Sequence, residues 1–181
     1  KIYLYKATNS GGSWSNSKPL PFNNAAYDVR NPSISKDGKT LYFSSNMPGG
    51  MGGEDIWKVS VNGDEYGTPE NLGAKINTEA NESFPFITDD NVLFFSSNGK
   101  QGFGGLDVFK IDLSKGTDAV NVGAEAQALG FGLRNADVAG AGSGQHLGHA
   151  GDFLGHFLRR AVGFAEQDRR RLQVVAGFHI R

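Results

Sequence analysis

The chain contains no cysteine, and its four histidines all lie in the last 36 of its 181 residues. Disulfides and thiolate chemistry are therefore excluded, and residues 1–123 lack the usual general base and the strongest nucleophile of enzymes. No apolar run is long enough to span a bilayer, and neither a signal-peptide pattern nor a lipobox-like cysteine is found. These absences predict that residues 1–123 perform no catalysis by themselves.

The chain also lacks a large excess of charge of either sign. Residues 1–123 carry 11 Lys and Arg against 14 Asp and Glu, a net charge of −3, and residues 124–181 carry 7 against 5, a net charge of +2. Neither segment has the basic field that drives nucleic-acid binding. The one basic cluster, residues 169–171, is interpreted as the solvated face of a helix. We therefore expect no nucleic-acid partner.

What the chain does contain is an internal repeat of about 52 residues. NPSISKDGKTLYFSSN (residues 31–46) returns as SFPFITDDNVLFFSSN (residues 83–98), and GGEDIWKV (residues 52–59) returns as GGLDVFKI (residues 104–111). Short β-branched and aromatic runs separated by turn residues are typical of strands, and a period near 50 residues is typical of repetitive β architectures. The repeat therefore predicts an all-β fold of consecutive antiparallel sheets.

A few residues mark equivalent positions of the two units. Asp37-Gly38 has the chemistry of a hairpin turn, because both residues accept the positive φ that such turns require. The residues that define the repeat are Pro32, Asp37, Gly38, Asp55 and Trp57 in the first unit, and Pro85, Asp107 and Phe109 in the second.

Strands and core positions follow from the same pattern. We expect strands near residues 2–6, 32–35, 40–45, 55–61, 84–87, 92–97 and 107–113. The predicted core consists of the apolar residues Ile34, Leu41, Phe43, Ile56, Phe86, Leu93, Phe95 and Val108. Weaker elements are expected at residues 71–74 and 121–124.

These motifs resemble the WD-like repeats of TolB-type β-propellers. The pattern x-P-x-x-S-x-D-G-x-x-L-Y-F-S-S-N followed by G-G-x-G-G-x-D-I-W is most similar to Gram-negative envelope proteins of the OmpA family, in which such a propeller precedes an OmpA-like peptidoglycan-binding domain. The resemblance covers residues 1–123 and implies a partial propeller of about two and a half blades. Because a closed propeller needs at least about four blades, and because Lys1 stands where an initiator Met would, we expect a fragment of a longer protein.

The resemblance also implies a function. It points to a non-catalytic protein-interaction scaffold of the bacterial cell envelope, without cofactors, in the periplasm or at the periplasmic face of the outer membrane. Implied partners are envelope proteins, and peptidoglycan through a domain of the parent protein. No membrane span is implied.

Two alternatives remain open from the residues. One is the propeller domain of a hydrolase such as a peptidase, which requires a catalytic domain elsewhere. The other is a glycan-binding or glycan-cleaving propeller, which exposed aromatic residues would favour: Trp14, Tyr42, Trp57 and Tyr66. A sialidase is disfavoured, because residues 10–14 only approximate an Asp-box turn and residues 1–123 contain one arginine, Arg30.

Candidate site residues lie in two glycine-rich loops, residues 46–53 and 98–105. Each loop presents one apolar residue, Met51 or Phe103, either to a partner or to the adjacent blade. Asp55 and Asp107, at the ends of these loops, are either cation ligands or acceptors of backbone N–H groups. Their recurrence in both units favours the structural role.

Residues 124–181 form a compositionally distinct tail. All ten lysines lie at or before Lys115, whereas seven of the eight arginines lie at or after Arg134. Our leading hypothesis is a frameshift, a fusion or an assembly error. A natural second domain and an atypical terminal cap are the alternatives.

The tail is expected to be helical or irregular. Apolar residues at helical spacing predict helices near residues 153–162 and 166–175. His146, His149, Asp152 and His156 would share one face of an ideal helix, which is a conceivable metal face. Glycines interrupt that stretch, so a chance cluster is the preferred interpretation and no metal site is predicted.

Overall fold

The computed structural model describes residues 1–124 and the backbone of residues 173–178. The strands are β1 (Ile2–Ser10), β2 (Ser13–Pro19), β3 (Val29–Ile34), β4 (Thr40–Ser45), β5 (Asp55–Asn62), β6 (Glu65–Tyr66), β7 (Glu70–Asn71), β8 (Glu82–Ile87), β9 (Val92–Ser97), β10 (Asp107–Asp112), β11 (Val120–Asn121) and β12 (Gln173–Phe178).

These strands form three sheets with antiparallel pairing. The first has the order β12-β1-β2, the second β3-β4-β5-β6 and the third β8-β9-β10-β11. In the second sheet, β6 and β7 both pair with β5 and together take the place that β11 takes in the third. The all-β prediction is confirmed, and the sheets of the described residues do not close into a ring.

All seven predicted strands are present, with bounds shifted by a few residues. The sequence pattern does not predict β2, because Ser13–Pro19 is exposed along its whole length and shows no apolar alternation. Its hairpin with β1 depends on Gly11 and Gly12, whose φ values are +61° and +88°. Both values lie in the left-handed region that glycine adopts without steric cost.

The turn between β3 and β4 lies at Asp37-Gly38 as predicted, but the expectation of a positive φ at both residues is wrong, because only Gly38 has one. Gly38 has a φ of +72° and donates its N–H to the Ser35 carbonyl over 2.8 Å. The Ser35 hydroxyl and the Lys39 N–H both donate to Asp37, which holds the pKa of Asp37 below its ordinary value. In the second unit Asn91 takes the place of Gly38 with a φ of +61°, which asparagine tolerates better than most residues.

Two apolar clusters hold the sheets together. Neighbouring residues of a strand point to opposite faces, so β4 contributes Leu41 and Phe43 to one cluster and Tyr42 to the other. The first cluster joins the first and second sheets through Leu4, Leu20, Phe22, Val29, Leu41, Phe43, Met47, Trp57, Val59 and Val61. The second joins the second and third sheets through Tyr42, Ile56, Ile76, Ile87, Leu93, Phe95, Phe109 and Ile111.

Five of the eight predicted core residues are confirmed as buried: Leu41, Phe43, Ile56, Leu93 and Phe95. The other three, Ile34, Phe86 and Val108, are only half-buried.

The strand register explains two of these differences. Phe86 lies opposite Phe94, and Val108 lies opposite Ser96, on the face of the third sheet that points away from the second cluster. Ile56, the repeat equivalent of Val108, points toward the third sheet and is fully buried. Ile34 packs against the edge of the first cluster at the end of β3.

The helix predicted over residues 166–175 is wrong at its C-terminal end, because Gln173–Phe178 forms β12. This strand pairs with β1 from Ile2↔Phe178 to Ala7↔Gln173. The edge of β1 offers unpaired N–H and C=O groups, and consecutive valines favour a strand. The helix predicted near residues 153–162 and the histidine face lie outside the described residues, and the division of the chain at residues 123/124 stays a prediction.

In each of two sheets, an asparagine side chain bonds both backbone groups of one strand residue. The Asn77 side chain accepts the Ile56 N–H over 2.8 Å and donates to the Ile56 carbonyl over 2.9 Å. The Asn23 side chain makes the same pair of bonds with Leu4, at 3.0 and 2.7 Å. Each of the two carbonyls also accepts a backbone N–H, that of Leu72 at Ile56 (3.2 Å) and that of Leu20 at Leu4 (3.0 Å), so the asparagine supplies an acceptor for the N–H and a second donor for the carbonyl.

Replacing Asn77 by Ala should lower the free energy of unfolding by about 2 kcal/mol, because the Ile56 N–H loses its side-chain acceptor and the Ile56 carbonyl loses one of its two donors. Asn23→Ala is the matched control and should cost less, since Asn23 is half-buried whereas Asn77 is 1% exposed. Urea denaturation of both variants measures the difference. Equal losses would contradict the assignment of the cost to burial.

Candidate functional site

The two glycine-rich loops connect β4 to β5 (residues 46–54) and β9 to β10 (residues 98–106). In the first loop, Asp55 Oδ2 accepts the N–H groups of Met51 (2.7 Å) and Gly52 (3.4 Å). In the second loop, Asp107 Oδ2 accepts those of Phe103 (2.8 Å) and Gly104 (3.2 Å). Equivalent aspartates thus accept the N–H groups of equivalent turns in both repeats, which is the backbone-acceptor role considered for them.

The loops need glycine where they pass over the carboxylates. A Cβ atom at Gly50 would overlap the carboxylate of Asp55, and one at Gly102 would overlap the carboxylate of Asp107. The aspartates and the glycines before them are therefore one structural unit. This unit sets the path of each loop and the position of the apolar residue that it presents.

Both loops lie at the same end of their sheets, on either side of residues 78–81. Gly53 donates its N–H to the Ala80 carbonyl over 2.7 Å. From the other side, Asn98 donates its N–H to the Asn81 carbonyl over 3.2 Å, and the Asn98 side chain accepts the Asn81 N–H over 2.9 Å. The connecting segment thus joins the two loops into one surface.

A buried glutamate holds this connecting segment in place. Glu82 is fully buried and accepts three hydrogen bonds, from the Thr78 N–H (2.7 Å), the Thr78 hydroxyl (2.7 Å) and the Ser97 hydroxyl (2.6 Å). The repeat pattern does not point to Glu82, because the equivalent position in the first repeat is the apolar Val29. The available signal was an acidic residue at the start of an otherwise apolar strand.

Met51 and Phe103 are exposed at the surface that the loops form. Met51 is 42% exposed and Phe103 is 63% exposed, so neither is buried against an adjacent sheet. The Phe103 ring lies beside Gly123, where a Cβ atom would come within 3.2 Å of ring atom Cε2. Leu106 in the same loop is also exposed. The partner-binding role of Met51 and Phe103 remains a prediction.

The single arginine of residues 1–123 is engaged in ion pairs. Arg30 Nη2 lies 2.9 Å from Asp28 Oδ2, and Arg30 Nε lies 3.1 Å from Glu54 Oε1. The Ser83 hydroxyl donates to the other oxygen of Glu54 over 2.8 Å. Burial acts to raise the pKa of Asp28, but the Ile2 N–H and the Arg30 charge hold it below its ordinary value. Arg30 is thus already neutralised by this network.

Of the four aromatic residues considered for glycan binding, only Trp14 is strongly exposed, at 47%. Tyr42 and Trp57 are buried in opposite clusters, and the Trp57 Nε1–H donates to the Ser45 carbonyl over 3.1 Å. Tyr66 is half-buried with its ring centroid 6.0 Å from that of Phe22. These four residues therefore do not form a shared aromatic platform.

Phe84 adopts a strained backbone conformation at the start of β8. Its φ is +55°, its side chain is 41% exposed, and it lies where the pairing of β8 with β9 shifts register. Asn31 lies at the equivalent bulge of β3 with a φ of +52°, and its side chain accepts a hydrogen bond from Ser44 over 2.8 Å. Asparagine tolerates this region, whereas a bulky residue in it is a genuine outlier.

The described residues contain no group of three or more His, Asp or Glu side chains that could hold a metal ion. Asp55 Oδ1 is buried without a hydrogen-bond partner. In that same part of the chain, no helix has both the length and the apolarity that crossing a membrane requires.

Comparison with known proteins finds a limited likeness among solved structures. No protein-family model matches the chain, and no curated protein matches it. The crystal structure of TolB from Acinetobacter baumannii is similar over 62% of this chain and 24% of the TolB chain, with 17% sequence identity and a TM-score of 0.37. The likeness is partial. The chain spans about a quarter of the length of TolB, and neither family membership nor activity follows from these figures.

Replacing Asp55 by Ala should lower the free energy of unfolding by about 1–3 kcal/mol, because two loop N–H groups lose their acceptor. Asp55→Asn keeps an acceptor oxygen and should retain most of the stability. Asp107→Ala is the matched control and should cost less, since Asp107 is half-buried. Thermal unfolding with and without calcium distinguishes an Asp55 that accepts backbone N–H groups from an Asp55 that binds a cation. A calcium-dependent rise in Tm that Asp55→Asn abolishes would establish the cation site instead.

Replacing Phe84 by Asn should raise the free energy of unfolding by about 1 kcal/mol, because asparagine relieves the backbone strain. The reciprocal change, Asn31→Phe, should lower it, since it introduces the strain and removes the acceptor of the Ser44 hydroxyl. Chemical denaturation of the two variants measures both effects. A loss of stability in Phe84→Asn would show that packing of the ring outweighs the strain.

Proposed function

We propose that this chain is a non-catalytic protein–protein interaction scaffold of the bacterial cell envelope, associated with the outer membrane or peptidoglycan in its parent protein. The observation that carries the proposal is the exposure of one apolar side chain, Met51 or Phe103, at equivalent positions of two loops at the same end of the fold. An exposed apolar group on a rigid scaffold is the usual anchor of a protein interface.

The loops are well organised for such a role. Asp55 and Asp107 fix the two turns, and residues 78–81 hydrogen-bond to both loops. A partner would therefore meet a surface whose backbone is already ordered, so less conformational entropy is lost on binding. Pre-organised loops favour recognition of a protein surface.

The chemistry of the same region supports binding over catalysis. Residues 1–123 contain neither His nor Cys. Arg30 is paired with Asp28 and Glu54, and the two loop aspartates accept backbone N–H groups. None of these side chains is thereby left poised as a nucleophile, a general base or a carboxylate clamp.

The cellular location and the partners rest on the resemblance of the repeat motifs. It supports the periplasm or the periplasmic face of the outer membrane, with envelope proteins as partners and peptidoglycan reached through a domain of the parent protein. The proposal includes that the parent protein is a member of the OmpA family. Sequencing the parent gene tests it directly, and a peptidase domain after the repeats would favour the hydrolase alternative.

One observation favours a second candidate, glycan binding. Trp14 is an exposed aromatic residue on the polar strand β2, which suits stacking against a sugar ring. A glycan array on which the chain binds and Trp14→Ala does not would favour this alternative. Absence of array binding would leave the protein-interaction scaffold.

Replacing both Met51 and Phe103 by Ser should weaken partner capture at least tenfold, because central apolar anchors often contribute about 2 kcal/mol or more each. The Tm should stay nearly unchanged, since both side chains are exposed. Pull-down from periplasmic extract, quantified by mass spectrometry, measures the proteins that depend on the two anchors.

Trp14→Ser is the matched control, since Trp14 is about as exposed as Met51 but lies on β2 rather than on a loop. It should leave capture unaltered. A clear drop in Tm with unaltered capture for the double variant would contradict the interface and show that the two side chains stabilise the fold.

A further inference from the structure

We propose that Asn62-Gly63 is a self-modification site, at which the chain converts Asn62 into aspartate or isoaspartate with water as the only co-reactant. The chain contains two Asn-Gly pairs, Asn62-Gly63 and Asn98-Gly99. Glycine after asparagine favours this reaction, because it has no side chain to hinder the approach of its nitrogen to the asparagine amide. The fold leaves the first pair reactive and blocks the second. This site does not rest on the role proposed for Met51 and Phe103.

The reaction needs neither an oxidant nor a metal. The Gly63 N–H gives its proton to hydroxide, and its nitrogen attacks Cγ of Asn62. A five-membered succinimide forms as the bond from Cγ to Nδ2 breaks, and Nδ2 takes a proton from water and leaves as ammonia. Water then opens one of the two C–N bonds of the ring. Opening at Cγ gives aspartate, whereas opening at the backbone carbonyl gives isoaspartate, in which the main chain runs through Cγ.

The turn that holds Asn62 is exposed. Asn62 pairs with Glu65, so Gly63 and Asp64 form a two-residue loop, and Gly63 has a φ of +64°. Glycine at the first loop position, with a positive φ there and not at Asp64, is typical of a type II′ turn. Such a turn is closed by the carbonyl before the glycine and the N–H after the loop. Among the described residues, no hydrogen bond engages the Gly63 N–H or the Asn62 side chain.

The hairpin end can open enough for the attack. Asn62 must leave its extended conformation for its side chain to meet the Gly63 nitrogen. β6 has two residues at the edge of its sheet, and only Val61↔Tyr66 and Asn62↔Glu65 pair. Exposed and short pairings of this kind open at a small fraction of the free energy of global unfolding.

The second pair has the same chemistry in a different environment. The Asn98 side-chain oxygen accepts the Asn81 N–H over 2.9 Å, and the Asn98 N–H donates to the Asn81 carbonyl over 3.2 Å. The Gly99 N–H, which would be the nucleophile, donates to the Ser97 hydroxyl over 3.1 Å. A Cβ atom at Gly99 would overlap Oγ1 of Thr78, so the backbone is closely surrounded. Succinimide formation at Asn98 therefore requires the loss of hydrogen bonds that Asn62 does not have.

Modification of Asn62 would loosen the contact between the first and second sheets. Asp64, in the same turn, lies 2.5 Å from Lys6 Nζ of β1 and 3.4 Å from Lys18 Nζ of β2. Tyr66 packs against the first cluster, with its ring centroid 6.0 Å from that of Phe22. Isoaspartate adds one carbon to the main chain just before these residues, which shifts them relative to β5.

Peptide mapping by mass spectrometry measures both conversion rates in the full chain during incubation at mildly alkaline pH. We expect Asn62 to convert at least about tenfold faster than Asn98, because the hydrogen bonds around Asn98 must break before the attack. The chain unfolded in guanidinium is the control, and there the two pairs should convert at similar rates. Equal rates in the folded chain, or faster conversion at Asn98, would overturn the proposal.

Isoaspartate is counted independently by transfer of labelled methyl groups from S-adenosylmethionine, with a protein isoaspartate methyltransferase as the probe. The incubated chain should accept methyl groups and show a lower Tm than the fresh chain. Asn62→Gln should lose most of both effects, since glutamine would have to form a six-membered ring. Asn98→Gln, the matched control, should accept methyl groups like the unchanged chain. Methyl acceptance that Asn62→Gln does not reduce would contradict the assignment of the site, and an unchanged Tm would contradict the loosened sheet contact.

Discussion

The sheets of this protein depend on one constraint, namely that β4 and β5 carry apolar side chains on both faces. Alternation along β4 sends Phe43 to one cluster and Tyr42 to the other, so the second sheet needs a neighbour on each side. The first sheet supplies Leu4 for one face, and the third sheet supplies Phe95 for the other. Because burial of apolar area is the main favourable term in folding, stacking and strand register are specified together. A shift by one residue would exchange the two faces.

The candidate binding surface follows from this stacking. Once Ile56 and Phe95 share a cluster, the two sheets align with their equivalent loops at one end, and residues 78–81 run between them. Asp55 and Asp107 then pin the same turn in each loop, which turns Met51 and Phe103 outward.

Much of this could be predicted from the repeat, because period-two alternation and turn residues are local signals. The positions of β4, β5, β9 and β10 and the turn at Asp37 were evident in this way. What the sequence could not show depends on partners distant along the chain. Val108 and Ile56 are both aliphatic and occupy equivalent positions of the repeat. Ile56 is buried and Val108 is only half-buried because the third sheet covers the Ile56 face of the second sheet. Glu82 and Asn77 form hydrogen bonds with backbone or hydroxyl groups that only the fold brings near them. β12 is defined by its pairing with β1, which lies more than 160 residues away in the sequence.

Amide hydrogen exchange followed by NMR tests the stacking of the three sheets most directly. The account predicts the strongest protection at the buried centre of the second and third sheets, at Phe43, Ile56 and Phe95, with opening free energies near that of global unfolding. It predicts fast exchange along β2, whose side chains are exposed over Ser13–Pro19. Uniformly fast exchange at the three central residues, at the level of β2, would show that the sheets do not stack and would contradict the account.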